Sequence, residues 1–164
     1  MGGPATAEGR LQHALDLAYR YLGRRDRTTL EVRRHLEGKR VEPSAIDAAL
    51  HELTETGYLD DARYAQRFAE DRRELDEWGA DRIARRLQAA GVGEEEVAAA
   101  LGGREAESER DAALALLRRR LRSAPQSDRE RERALGMLVR KGYDLDLAYE
   151  VVRAFEREPE SIGS

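Results

Sequence analysis

The sequence predicts an all-α fold of three tandem three-helix, helix-turn-helix-like repeats, stacked into an elongated molecule, straight or curved. Three observations carry this. The chain is 5% aromatic and 38% charged, rich in Ala, Leu, Arg and Glu and poor in β-branched runs, which is the profile of good helix formers. It is also self-similar at a spacing of 51 residues, with Leu36, Leu87 and Leu138 in register, followed five residues on by Val41, Val92 and Tyr143. Ten residues on stand Ile46, Val97 and Ala148, and fourteen on Leu50, Leu101 and Val152, the weak repetition that tandem helical units leave behind. Finally, each aligned stretch reads as a helix stop, a short turn and a helix start.

The elements follow in order. Leading helices show core-facing spacing, as in Leu11, Ala14, Leu15, Ala18 and Leu22, or Tyr64, Ala65, Phe68 and Leu75. Middle helices open with capping boxes, Thr28-x-x-Glu31 in the first repeat and Ser127-x-x-Glu130 in the third. They close at Gly91 and Gly142, in the slot where a left-handed residue commonly ends a helix. Arg40 fills that slot in the first repeat, with Gly38 two residues earlier, so a turn of different shape is expected there. Third helices start with a hydrophobic staple: Val41 before Pro43 and Ile46, Val92 and Val97 around Gly93, and more weakly Tyr143 and Ala148 around Asp144. The repeats span 9–57, 60–102 and 106–156, with "GGRE" and "SAPQS" as turns and a frayed end after Glu158. Units this small bury little surface alone, so neighbours must stack.

At 164 residues the chain makes one ordinary domain or a few small units sharing a core. It has no cysteine, which excludes disulfides, thiol catalysis and thiolate metal sites and suits a reducing cytoplasm. Neither a signal peptide nor a membrane-length apolar run is present. Met1 to Thr6 fit the loose acylation pattern M-G-x-x-x-[ST], for which a flexible start is the simpler reading. Only Lys39 and Lys141 of the 29 basic residues are lysine. A GC-rich genome produces that bias unaided, and arginine is also the preferred fork for phosphate and carboxylate. Placement therefore decides what number cannot.

Charge is segregated by helix. Residues 29–40, 80–91 and 128–142 each carry +2, whereas the third helices carry −4, −3 and −2. Part of that acidity is structural, since the macrodipole stabilises carboxylates early in a helix. Yet a helix that opens with Glu94, Glu95 and Glu96 would meet phosphate repulsion in a major groove. These are not base-reading helices, although the helix-turn-helix outline is kept. Separated positive and negative faces fit a protein partner or a nucleoprotein carrying both signs. Candidate binding residues are Arg33 and Arg34, Arg82, Arg85 and Arg86, and Arg133, Arg140 and Lys141. Ile83 and Leu87 set the buried line of the second middle helix, which leaves Arg85 and Arg86 away from it.

Catalytic motifs fail on inspection. His51-Glu52 begins H-E-x-x-H, but position 55 is Glu, and His13, His35 and His51 are expected at the surface or its boundary. Gly38 to Arg40 lack the upstream Gly and the Ser or Thr of a phosphate-binding loop. Trp78 is expected to pack between repeats rather than stack on a base. No acid–base pair can be assembled, so a non-enzyme without cofactor or metal is expected.

Three segments carry a family resemblance: "GYLDDARYAQRFAEDR" (57–72), "WGADRIARRLQAAGV" (78–92) and "RALGMLVRKGYDLDLAYEVV" (133–152). In this order and spacing they resemble the repeat signatures of the RecX family, over roughly Leu11 to Phe155. The resemblance implies a bacterial, cytoplasmic regulator of the RecA recombinase in DNA repair, recombination and the SOS response. Such a protein binds along the RecA–DNA filament, touches single- or double-stranded DNA, and inhibits strand exchange, ATP hydrolysis and coprotease activity without chemistry of its own. A monomer is expected. Two other classes are alternatives. A helix-turn-helix transcription factor needs a base-reading helix rich in Arg, Asn or Gln, which no third helix supplies. A helical interaction scaffold without nucleic-acid contact fits the net charge of −4 but leaves the recurring basic helices to composition.

Overall fold

The structure is a computed structural model that describes residues 6–159. Residues 1–5, with all of the acylation pattern but Thr6, and residues 160–164 of the expected frayed end lie outside the described residues. Among the described residues nine helices run in order: α1 (Ala7–Leu22), α2 (Thr29–Gly38), α3 (Pro43–Glu55), α4 (Asp61–Leu75), α5 (Ala80–Ala89), α6 (Glu94–Leu101), α7 (Ala106–Arg120), α8 (Asp128–Lys141) and α9 (Leu145–Glu156). No strand occurs among the described residues; α1, α2 and α3 pack on one another, and α9 packs on α7 and α8.

The 51-residue register has a local cause. Val41, Val92 and Tyr143 donate their amides to the carbonyls of Leu36, Leu87 and Leu138 at 3.1, 3.0 and 3.0 Å. One residue earlier, Arg40, Gly91 and Gly142 donate to Glu37, Gln88 and Val139 at 2.9, 3.0 and 3.0 Å. This paired pattern is the Schellman motif, in which an apolar residue after the turn covers an apolar residue in the last helical turn. The aligned Leu and Val or Tyr positions are therefore the two ends of one hydrogen-bonded turn, used three times. Gly91 and Gly142 take φ of +87° and +101°, as a left-handed stop requires.

Arg40 corrects the expectation of a different first turn. Its φ is 59°, and it makes the same two bonds, so the turn has the shape of the other two. A side chain in that region costs roughly 1–2 kcal/mol, which the hydrogen bonds and the Leu36–Val41 cover offset.

The capping boxes are realised unequally. Thr28 accepts from the Glu31 amide and Glu31 returns to the Thr28 amide. Ser127 accepts from Glu130, but the Glu130 carboxylate reaches past the cap to the Gln126 amide at 2.6 Å, so the third repeat's box is only half formed. Pro43 stands at the first helical position of α3, as predicted. Leu75 corrects the core expectation for α4, being 70% exposed. Ala65 and Ala69 define the buried line, and at roughly 100° per residue Leu75 falls about 100° away from its middle.

Packing divides the described chain into two compact units, residues 6–67 with 87–98, and 68–86 with 99–159. The core of the first gathers Leu15, Val32, Leu36, Ile46, Leu50 and Leu53, with Val41 packed against it. In the second, Leu116, Leu117, Leu138, Tyr143, Val151 and Phe155 do the same. Fully burying one such side chain contributes about 1.5–3 kcal/mol.

Each unit holds one docking of a middle helix onto the turn of the following repeat, by the same rule. In the first, Thr28 Oγ1 donates to the Ala90 carbonyl at 2.6 Å, and the Thr29 amide donates to Asp61 at 2.9 Å. In the second, the Gly79 and Asp81 amides donate to the Lys141 and Gly142 carbonyls at 2.8 and 2.9 Å, and the Ala80 amide donates to Glu109 at 2.7 Å. In both, a donor at the start of one middle helix, the Thr28 hydroxyl in the first and orphan amides in the second, meets the carbonyls at the end of the next, and a carboxylate from the following leading helix completes the cap.

Candidate functional site

The middle helices carry the residues that the sequence singles out, and the structure sorts them by what already occupies each side chain. On α2, Arg33 is paired with Asp47 of α3 at 2.9 Å. Arg34, one position on, is exposed and makes no ion pair among the described residues. Basic middle helix and acidic third helix therefore neutralise part of each other inside the first repeat.

On α5, Ile83 and Leu87 are wholly buried, as the spacing predicts, and Arg85 and Arg86 are exposed. Asp81 is the only acid on this helix. Burial, reinforced by the Asp144 carboxylate, holds Asp81 above the usual carboxylate range, and Arg85 pulls in the opposite direction. Arg82 is committed elsewhere: its guanidinium lies 4.0 Å from the centre of the Trp78 ring and donates to the Arg140 carbonyl at 3.1 Å.

On α8, Arg133 and Arg140 are exposed, without ion pairs among the described residues. Lys141 donates to the Asp76 carbonyl at 2.9 Å and so serves the docking of α5 on α8. The structure brings Arg82, Arg140 and Lys141 together at that docking point. Arg33 and Arg34 belong to the other compact unit.

Trp78 stands two residues before α5 and makes aromatic and cation–π contacts within the second repeat: Phe68 edge-on at 6.2 Å, and the guanidinium groups of Arg72, Arg82 and Arg86 at 5.9, 4.0 and 6.0 Å. The chain reaches this position through Glu77, whose φ of 60° is left-handed. Tyr143 fixes that turn by donating its hydroxyl to the Glu77 carbonyl at 3.2 Å. Arginine stacking on a lone tryptophan was missed in the sequence, although Trp78, Arg82 and Arg86 at four-residue spacing are a readable signal once a helix is placed.

The third helices confirm that part of their acidity is structural. Glu42 pairs with Arg10 at 2.7 Å, and Asp144 caps α9 by accepting from the Asp146 and Leu147 amides. The Glu96 carboxylate curls back over Gly93 at the start of α6. Glu52, Glu55, Glu94, Glu95, Asp146 and Glu150 remain exposed. The surface therefore keeps both signs after internal pairing is discounted. His13 and His51 are exposed and His35 half-buried. No group of His, Asp or Glu able to hold a metal ion occurs among the described residues, and no described helix is long and apolar enough to cross a membrane.

Helix-turn-helix outlines docked through their middle helices, with exposed carboxylates on the third, define a tandem helical-repeat protein. Family models describe which one. The first, second and third three-helix domains of RecX match residues 14–53, 60–101 and 107–152. The regulatory protein RecX of Thermobifida fusca is 34% identical, covering 98% of this chain and 88% of its own. That of Mycobacterium avium is 35% identical over 92% and 90%. The crystal structure of RecX from Lactobacillus salivarius superposes with a TM-score of 0.79 at 17% identity, over 90% of this chain and 97% of that one. The chain belongs to the RecX family, and it is a regulatory protein rather than an enzyme.

Proposed function

We propose that the chain binds the RecA–DNA filament in the cytoplasm and restrains RecA, lowering its strand exchange, ATP hydrolysis and coprotease activity in DNA repair, recombination and the SOS response. It acts as a monomer through its three repeats, residues 9–57, 60–102 and 106–156. The observation that supports this reading is the set of middle-helix guanidinium groups that are exposed and make no ion pair among the described residues: Arg34, Arg85, Arg86, Arg133 and Arg140. Exposed carboxylates on the third helices provide the opposite sign. A RecA–DNA filament offers phosphate to the first and basic protein surface to the second, and affinity for phosphate grows with each neutralised charge.

Among the candidates, Arg34, Arg85, Arg86, Arg133 and Arg140 make the contacts. Arg33, Arg82 and Lys141 position them through Asp47, Trp78 and the Asp76 carbonyl. No chemistry on the substrate is required, because occupying the filament suffices to hinder exchange or hydrolysis. The deciding experiment is RecA's DNA-dependent ATPase with added protein. Inhibition at near-stoichiometric amounts is expected, and hydrolysis unchanged in excess of folded protein would overturn the reading.

A further inference from the structure

The first repeat holds a second cationic feature, apart from the candidates named above. The carboxyl-terminal ends of α1 and α2 enclose a cleft of about 240 Å³ lined by Leu17, Arg20, Tyr21, Arg24, His35 and Lys39. Tyr21 and His35 form one wall, with ring centres 3.9 Å apart and planes within 2° of parallel. The Arg27 guanidinium lies over the Tyr21 ring at 4.0 Å. No carboxylate lines the cleft. Glu31, one turn before His35 on α2, is occupied by Arg25 at 3.1 Å and Arg27 at 3.8 Å.

Arg20, Arg24 and Lys39 are exposed and make no ion pair among the described residues. Helix dipoles favour cations at these two carboxyl-terminal ends, which offsets part of their charge, but no carboxylate in the cleft neutralises the rest. His35 registers the result. Burial first, then Lys39, Arg27 and Arg24, hold its ring below the ordinary value of 6.5. Arginine abundance alone does not produce such a place. The cleft lined by Arg73, Glu74, Glu77, Ala112, Ala115, Arg119 and Tyr143 contains its own acids, and Arg119 there is paired with Glu77.

We propose that the α1–α2 cleft is a seat for a phosphate group, held by Arg20, Arg24 and Lys39 and closed by His35. Guanidinium forks and an ammonium on long arms suit a tetrahedral phosphate anion, which accepts several charge-assisted hydrogen bonds at once. At about 240 Å³ the cleft is below the roughly 300–1,000 Å³ of pockets that enclose whole small molecules. It therefore takes one charged group with little attached, either inorganic phosphate or a phosphodiester of a nucleic-acid strand. The bound anion also brings His35 the negative neighbour it lacks, so that the ring gains a proton and becomes a fourth donor.

His35 reports occupancy directly, without RecA. Its ring resonances are followed by NMR in the full chain while phosphate replaces chloride at constant ionic strength, with exposed His13 and His51 as internal controls. A saturable shift confined to His35, together with a rise in its pKa, is expected. Arg24→Gln with Lys39→Gln should weaken it at least tenfold with an unchanged melting curve, and Arg20→Gln alone should weaken it less. A short single-stranded oligonucleotide that displaces phosphate identifies the phosphodiester as the source, whereas failure to displace it identifies free phosphate. Equal, unsaturable shifts at all three histidines, or an undiminished response in the double variant, would overturn the proposal. So would saturation by a poly-glutamate peptide but by neither phosphate source, which would mark the cleft as a seat for acidic protein.

Discussion

Gly142 and Arg82 meet so closely that a Cβ on the glycine would stand 2.7 Å from the Arg82 backbone nitrogen. Its φ of +101° already disfavours a side chain, so two separate demands fall on one residue: the left-handed stop of α8 and the seat for the start of α5. Gly142→Ala should therefore cost more than a left-handed penalty alone, about 2–4 kcal/mol once the backbone clash is included. Urea denaturation checks this, and a loss below about 1 kcal/mol would show that the docking yields easily.

Arg40 separates the two demands. It occupies the same turn with φ of 59°, but it is exposed, and nothing among the described residues docks on it. Only the conformational requirement is left, so a non-glycine residue survives there. Arg40→Gly should stabilise the chain by about 1 kcal/mol, since glycine enters the left-handed region without penalty. A destabilised variant would mean that the Arg40 side chain makes a contact of its own.

That pair of positions shows what the sequence makes legible. Leu36, Leu87 and Leu138 with Val41, Val92 and Tyr143 could be aligned because the turn they close is local, with both partners five residues apart. Thr28 with Ala90, Gly79 with Lys141 and Ala80 with Glu109 could not, because those bonds join residues far apart in the chain and each has at least one partner that is a backbone group, which carries no residue-type signal. The same limit applies to the surface. Counting charges found the basic helices, but only geometry separates Arg33, taken by Asp47, from Arg34, which has no such partner.

Thr28 is wholly buried, with its hydroxyl accepting from the Glu31 amide and donating to the Ala90 carbonyl. Thr28→Val keeps the shape and removes both roles. Loss of the cap and an unsatisfied carbonyl together should cost about 2–3 kcal/mol. Thr28→Ser should recover most of it, and equal losses in the two variants would assign the effect to the methyl group instead.

Tyr143 links stability to alkaline pH. Burial, aided by the nearby Glu109 carboxylate, pushes its phenol up to about 12 from 10.0. The folded chain therefore keeps a proton that the unfolded chain releases earlier. This contribution is fully present below pH 10 and is lost as pH rises through about 12. Tyr143→Phe should lower stability near neutrality by about 1 kcal/mol, through the lost bond to the Glu77 carbonyl, and should decline less steeply than the parent above pH 10. Parallel slopes in the two proteins would exclude Tyr143 as the titrating group.

The sharpest test of the binding surface uses Arg85 and Arg86, which are exposed on the helix whose buried line is Ile83 and Leu87. Neither contributes to the core, so Arg85→Glu with Arg86→Glu should melt close to the parent, apart from a small change in the Asp81 and Trp78 neighbourhoods. Binding to RecA on DNA should weaken and inhibition of its ATPase should require more protein. If the two residues contact phosphates, log affinity against log salt should flatten by roughly one unit for each, about two in all. Weakened binding with an unchanged slope would instead place them against protein carboxylates, since a protein contact releases no condensed counterions. Unaltered inhibition at every salt concentration, in a variant that melts like the parent, would reduce this face to one that keeps the chain solvated, and the contacts would then have to be sought at Arg34, Arg133 and Arg140.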